Sequence, residues 1–294
     1  MNQNKSMDYI FHLTTLSSIF AILAIGLNLV MGYTGLLSVA HAAFYGIGAY
    51  ASAILMRSQG MNFFVAMGLG VLLSMGVALL IGLVLSRFDG DYYALASLGF
   101  NVIVFGIMLN WEELTRGPLG IPGIGKPKLG DHTIFSNMEY FFFTLFFLII
   151  IYLLARLITR SSFGRTLKGI REDETALQVF GYKTVYFKLA VFVIAAGMAA
   201  VAGSLYGSYI TYIDPKTFIV MESIMIISMI ILGGLANNRG AVIGATFFVL
   251  LPELLRFAGF PPDIAAHMRQ IVYGVLLILL MMYRPQGLFG EYKL

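Results

Sequence analysis

The sequence contains no cysteine, a single tryptophan and few charges: 12% of its 294 residues are Asp, Glu, Lys or Arg. Without cysteine there are no disulfides, no thiolate metal sites and no thiol nucleophile. So little charge excludes a disordered chain, which needs polar residues to solvate it, and also an ordinary soluble domain. What fills the composition is apolar, at 59% hydrophobic residues and a mean hydropathy of +0.85. A helix needs about 20 apolar residues to cross a hydrocarbon core of about 30 Å. The chain therefore has room for about eight to ten spans and no sizeable extramembrane domain.

The gaps between charges outline the architecture. Tyr9 to Met56 carries no Asp, Glu, Lys or Arg, and as one helix it would be about 70 Å long. It must turn, and Gly32-Tyr33-Thr34-Gly35 is the expected break. Further apolar stretches run over 62–86, 92–110, 139–158, 187–208, 217–236, 240–257 and 268–284, making nine segments. The second, Gly35 to Met56, is rich in Gly, Ala and Ser, which lets helices approach closely and predicts an interior position. The apolar run at the N-terminus is longer than a signal-peptide core, and its A-x-A-like triplet, Ala40-His41-Ala42, lies past the break. An uncleaved first span is expected.

Orientation follows from Lys and Arg. Arg156 to Lys188 holds seven of the 19 basic residues against three acids, so the whole net charge of +4 resides there and this loop is expected in the cytoplasm. Arg284 to Leu294 then falls on the same side and Trp111 to Asn137 outside. Nine full crossings put the N-terminus outside, whereas a broken or re-entrant 35–56 segment reverses that parity, and both readings stand.

Catalytic constellations are missing. His12, His41, His132 and His267 are scattered, with no H-E-x-x-H and no paired carboxylates on one helix face. Gly120 to Lys126 fits the first seven positions of a phosphate-binding G-x-x-x-x-G-K-[ST], but Pro127 stands where the hydroxyl belongs. The expectation is a rigid external loop, no enzyme, no cofactor and no metal.

Within the basic loop, Leu167, Ile170, Leu177 and Phe180 recur at spacings that make one apolar stripe on a helix, which Gly181 should stop. Such a helix between two spans can lie on lipid headgroups, serve only to set topology, or dock a cytoplasmic partner.

The residues also resemble a known family. GRTLKGIREDETALQVFGYKTVYFKLAVF, from Gly164 onward, is similar to the coupling loop of ABC-transporter permeases of the branched-chain amino-acid type, whose pattern reads G-R-x-x-x-A-I-R-E-D-E-x-A-A-x-x-x-G; Gly169 stands here for its Ala. GYTGLLSVAHAAFYGIGAY, MIILGGLANNRGAVIGATFFVLLPELLR and RPQGLFG resemble further family stretches in the same order, so the likeness covers about residues 16 to 290. Leu36 replaces the family's Gln, Ala40 a Gly, and Ala236 to Arg239 a Gly-Ser pattern.

The resemblance implies an all-α, polytopic membrane helix bundle of about eight to ten transmembrane segments. It would be a single permease domain over 1–294, with a cytoplasmic coupling loop at 159–186, in a bacterial inner membrane. Its partners would be a second homologous permease, two cytoplasmic ATP-binding subunits, an external substrate-binding protein and membrane lipid, with no nucleic acid. The ATPase-coupling residues carried over are Gly164, Arg165, Leu167, Ile170, Arg171, Glu172, Asp173, Glu174, Leu177, Phe180 and Gly181. Gly35, Ser38, His41, Gly233 and Gly234 are the translocation-pathway candidates. The plainer readings are an interior hydrogen-bonded histidine at 41, helix packing at 233–234, a carboxylate at the wet interface at Glu222 and an ion pair between Glu253 and Arg256.

Overall fold

The computed structural model places residues 2–129 and 132–257 and short pieces between 271 and 290. The last apolar stretch, 268–284, and the side chain of Arg256 lie mostly or wholly outside the described residues.

The chain forms helices α1 (Asn2–Leu27), α2 (His41–Gln59), α3 (Phe63–Leu85), α4 (Asp91–Asn110), the short α5 (Glu112–Thr115), α6 (Asn137–Arg160), α7 (Ser162–Val179), α8 (Thr184–Ile210), α9 (Val220–Gly233) and α10 (Asn238–Phe257). Among the described residues five segments are long and apolar enough to cross a membrane: Met7–Gly32, α3, α4, α6 and α8. These differ in exposure. Of the α1 span 78% is buried, against 28% for α3 and α6 and 33% for α4. Leucines and phenylalanines such as Leu72, Leu80, Leu95 and Phe146 cover the outer helices, as expected of faces solvated by lipid tails.

α2 is the interior helix that its small residues predict. It packs on α8 and α3, and Gly48 and Gly203 are backed against Ala200 and the Tyr45 carbonyl so closely that neither site has room for a Cβ. In lipid, where apolar burial gives little net drive, such backbone contact is what holds helices together.

At the end of the bundle away from the basic loop Arg57 donates to the Pro122 carbonyl. β1 (Ile121–Pro122) pairs antiparallel with β4 (Tyr212–Ile213), and β2 (Lys128–Leu129) pairs with β3 (His132–Thr133). The segment from Gly120 to Lys126 belongs to this cap, with Lys126 Nζ donating to the Phe135 carbonyl at 3.0 Å. His12 Nδ1 meets the Tyr209 hydroxyl at 2.7 Å, near the end of α8, so α1 starts at the same end as this cap and runs toward α7. That answers the parity question: the N-terminus lies on the side opposite the basic loop.

Candidate functional site

α1 does not end cleanly. Its helix widens into a π-helical turn at Asn28–Gly32, a distortion common at functional positions, and the chain leaves helical form from Gly35 to Ala40. Gly35, at φ +75, makes the turn in the left-handed region that other residues adopt only with strain. α2 then begins inside the bundle: His41 is buried with Nε2 against Gly26 of α1, where a Cβ would come to 3.2 Å. Its ring also bonds the Leu23 backbone.

A second break faces it. After α8 the chain returns through β4 and a 3₁₀ turn at Pro215–Phe218, which buries Phe218 against Tyr45 of α2 (ring centroids 5.0 Å) before α9 starts. α9 is only 14 residues long because part of its crossing is this irregular segment. Glu222 stands half-buried in the first turn of α9.

Backbone groups released by a break must be satisfied by protein where no water reaches them, and three side chains do so here. Val39 N–H donates to Ser97 Oγ at 2.9 Å, Ala42 N–H to Ser223 Oγ at 2.9 Å, and Asn101 Nδ2 donates to the Val39 carbonyl and to Ser223 Oγ, both at 3.0 Å. Ser38 is buried beside them, its Oγ accepting from Ala40 N–H at 3.4 Å. Ser97, Asn101 and Ser223 escaped the sequence reading. Each is one polar residue in an apolar run, and its partner lies 58 to 181 positions away.

The end of the break nearest α7 is held from two sides. Asn28 Oδ1 accepts from Ala236 N–H at 3.0 Å, and Asn28 Nδ2 reaches Asn238 Oδ1 at 3.4 Å, tying the π turn to the corner between α9 and α10. Gly233 lies against Gly240, and Gly234 against Gly290. Phe289 N–H donates to the Gly233 carbonyl at 3.0 Å and Leu288 N–H to Leu232 at 2.9 Å. Gly233 and Gly234 thus sit in close backbone packing.

From the other side comes α7. Arg171 Nη1 donates to the Gly32 carbonyl and lies 3.5 Å from that of Met31. A Cβ on Gly35 would meet Arg171 Cγ at 3.3 Å, and Lys168 Nζ stands 5.7 Å from the Tyr33 ring centroid. A guanidinium on carbonyls at a helix C-terminus is favoured by the dipole as well as by the hydrogen bonds.

α7 itself corrects the expectation of one straight amphipathic helix. It kinks at Asp173 (φ −156, ψ 96), whose side chain caps the second half by accepting from Ala176 N–H at 2.9 Å. The four apolar residues therefore do not form a single stripe. Leu167 (0% exposed) and Ile170 (5%) belong to the bundle's core, Leu177 is half-buried and reaches back toward Gly169, and Phe180 is 79% exposed. Gly164 is buried and backed against the carbonyls of Ile158 and Thr159, while Arg165 and Glu172 are exposed. Gly181 (φ +85) closes the second half, with Tyr182 N–H donating to the Leu177 carbonyl at 3.0 Å. Glu174 turns inward: it pairs with the buried Lys188 of α8 at 2.8 Å and accepts from Thr184 Oγ1 at 2.7 Å.

Two discontinuous helices facing one another in a multi-pass bundle, linked to an element outside the spans, describe a membrane transport protein. The family model for the permease component of branched-chain amino acid transport systems matches residues 9–281, and the chain belongs to that family. It is 33% identical to the high-affinity branched-chain amino acid transport system permease protein LivM of Salmonella typhimurium over 300 residues, covering 94% of this chain and 69% of the relative. The LivM of Escherichia coli K12 is likewise 33% identical over 303 residues with the same coverage. The LivH permease of that organism is 26% identical over 314 residues, 97% of this chain and 96% of the relative. No solved structure matches the chain.

Proposed function

We propose that the protein is the transmembrane permease subunit of an ABC importer carrying leucine, isoleucine and valine across the bacterial inner membrane. It would work with a second homologous permease, two cytoplasmic ATP-binding subunits and an external binding protein. The identity to LivM over most of the chain supports the substrate class. The observation that carries the mechanism is the grip of α7 on the α1–α2 break through Arg171 and Lys168.

In this reading the exposed second half of α7, with Val179 and Phe180, contacts the ATPase. The first half, packed into the bundle, passes the movement of nucleotide closure to Gly32–Gly35. Ser38 and His41, beyond that turn, then shift against Ser97, Asn101 and Ser223, opening the pathway by exchanging hydrogen bonds already present in the protein. Hydrolysis belongs to the partner subunits. The fold offers the solute a short polar break between apolar helices, which suits a brief stop rather than tight capture, so the binding protein does most of the selecting.

Reconstitution of the chain with its partners tests the assignment. The assembly should import leucine only with ATP, and the chain alone should neither hydrolyse ATP nor import. Exchange of the binding protein should change specificity more than Ser38→Ala or His41→Ala. Uptake by the single chain in a proton gradient would contradict the reading. Since the sequence lacks cysteine, single cysteines at Thr166 and His132 should label from the cytoplasm and from outside respectively.

A further inference from the structure

Away from the break, an open groove of about 420 Å³ runs between α6 and α10. Leu148, Ile149, Tyr152 and Leu153 form one wall, and Val242, Ile243 and Arg239 the other. Ile149, Leu153 and Ile243 are 50%, 48% and 41% exposed, and no acidic residue lines the space. Arg239 stands exposed at the start of α10, where its backbone N–H donates to Asn237 Oδ1 at 2.9 Å. Among the described residues neither its guanidinium nor the Tyr152 hydroxyl has a partner.

α6 sets the depth of the groove. This helix is long and apolar enough to cross a membrane, and its last residue, Arg160, leads through Ser161 into α7. At 1.5 Å per residue, Leu148 to Leu153 lie about 10 to 18 Å from that end, in the leaflet on the α7 side. The face that carries Ile149, Tyr152 and Leu153 continues at helical spacing through Arg156 to Arg160. It passes from aliphatic residues through a tyrosine to arginines, the order of surroundings that a phospholipid meets from its tails to its phosphate. Water does not fill an apolar space at this depth, and an arginine facing lipid is costly until an anion pairs with it. A phosphate offers that charge together with acceptors matched to the guanidinium fork. Basic pockets between membrane helices attract anionic headgroups for this reason.

We propose that the α6–α10 groove binds an anionic phospholipid of the leaflet on the α7 side. An acyl chain lies between Ile149 and Leu153 on one wall and Val242 and Ile243 on the other. The phosphate pairs with Arg239, and Arg156, one turn beyond Tyr152, adds positive charge. The lipid joins the helix that leads into α7 to the corner where Asn238, next to Arg239, reaches Asn28 of the π turn. The inference needs a membrane-embedded chain and does not depend on which solute is carried.

The test uses the complex in phosphatidylcholine nanodiscs doped with either a phosphatidylglycerol or a phosphatidylcholine that carries a diazirine in one acyl chain. After irradiation, peptides containing 148–153 and 242–243 should be labelled about five-fold more by the glycerol lipid than by the choline lipid. Arg239→Gln should remove that preference and leave labelling by the choline lipid as it was. Arg156→Gln should lower the preference as well, so the site can be judged even if the first variant assembles poorly. Equal labelling of the groove by the two lipids in the wild type would make it ordinary bilayer contact and overturn the proposal. Absence of labelling there by either lipid would mean that protein covers the groove, and would overturn it too. Loss of the preference in inorganic phosphate, but not in sodium chloride of equal ionic strength, would make Arg239 a free-anion site and not a lipid site.

Discussion

Before Asp173, α7 turns Leu167, Ile170 and Arg171 into the bundle. Beyond it, Val179 and Phe180 stand 82% and 79% exposed. The two halves are close in sequence and comparable in apolar content, yet one is an extension of the core and the other an open surface. A helix that only set topology, or only lay on headgroups, would have no need to grip the interior at one end. On the proposed reading, holding the membrane helices and meeting the ATPase would be separate jobs on either side of a capped kink. Glu174 makes the separation mechanical. By pairing with Lys188 it fastens the start of the second half to α8, so under the proposed coupling a push on Phe180 would not be absorbed by a loose hinge.

Charge placed on each half should break the comparison most sharply. Leu167→Asp buries a carboxylate with no partner and should cost more than about 4 kcal/mol, seen as loss of inserted, folded permease, while Phe180→Asp should leave the thermal midpoint of the isolated permease unchanged. Next in size is Glu174→Ala. It leaves Lys188 buried without its nearest partner and should destabilise by about 3 kcal/mol; adding Lys188→Met should recover much of this, as a double-mutant cycle by thermal unfolding would record. Phe180→Ala should keep the permease folded but weaken ATPase association by about 2 kcal/mol, which titration of the ATPase onto the permease in detergent would measure. Glu172→Lys should act in the same direction, and a cysteine at Asp173 should crosslink to an ATPase subunit and not to lipid alone. The smallest effect belongs to Gly169→Ala. Its Cβ would come 3.0 Å from a terminal methyl of Leu177, a flexible group that can yield, so the change should stay under about 1 kcal/mol and leave uptake intact.

Much of the fold was legible because lipid imposes a simple rule, a long apolar run bounded by charge. The stretches 62–86, 92–110 and 139–158 became Phe63–Leu85, Asp91–Asn110 and Asn137–Arg160, and Gly35 marked the break correctly. The kink in α7 was written in the sequence as well. Asp173 three residues before Ala176 is an N-cap signal, but a reading by apolar periodicity ran through it, since Ile170 and Leu177 are a heptad apart and imitate one continuous face. The network around Asn101 was not legible at all. A lone Ser or Asn in a span looks the same whether it bonds its own helix or one 100 residues away, and only the tertiary arrangement separates the two.

The central claim, that α7 drives the α1–α2 break through Arg171, is tested most directly by counting solute imported per ATP hydrolysed in proteoliposomes of the full complex, wild type against Arg171→Ala. Arg171 touches the carbonyls of Met31 and Gly32, so its removal should leave assembly and hydrolysis within about two-fold and lower import per ATP at least ten-fold, on the scale of about 1.4 kcal/mol or more of lost coupling. Import per ATP equal to that of the wild type would contradict the account.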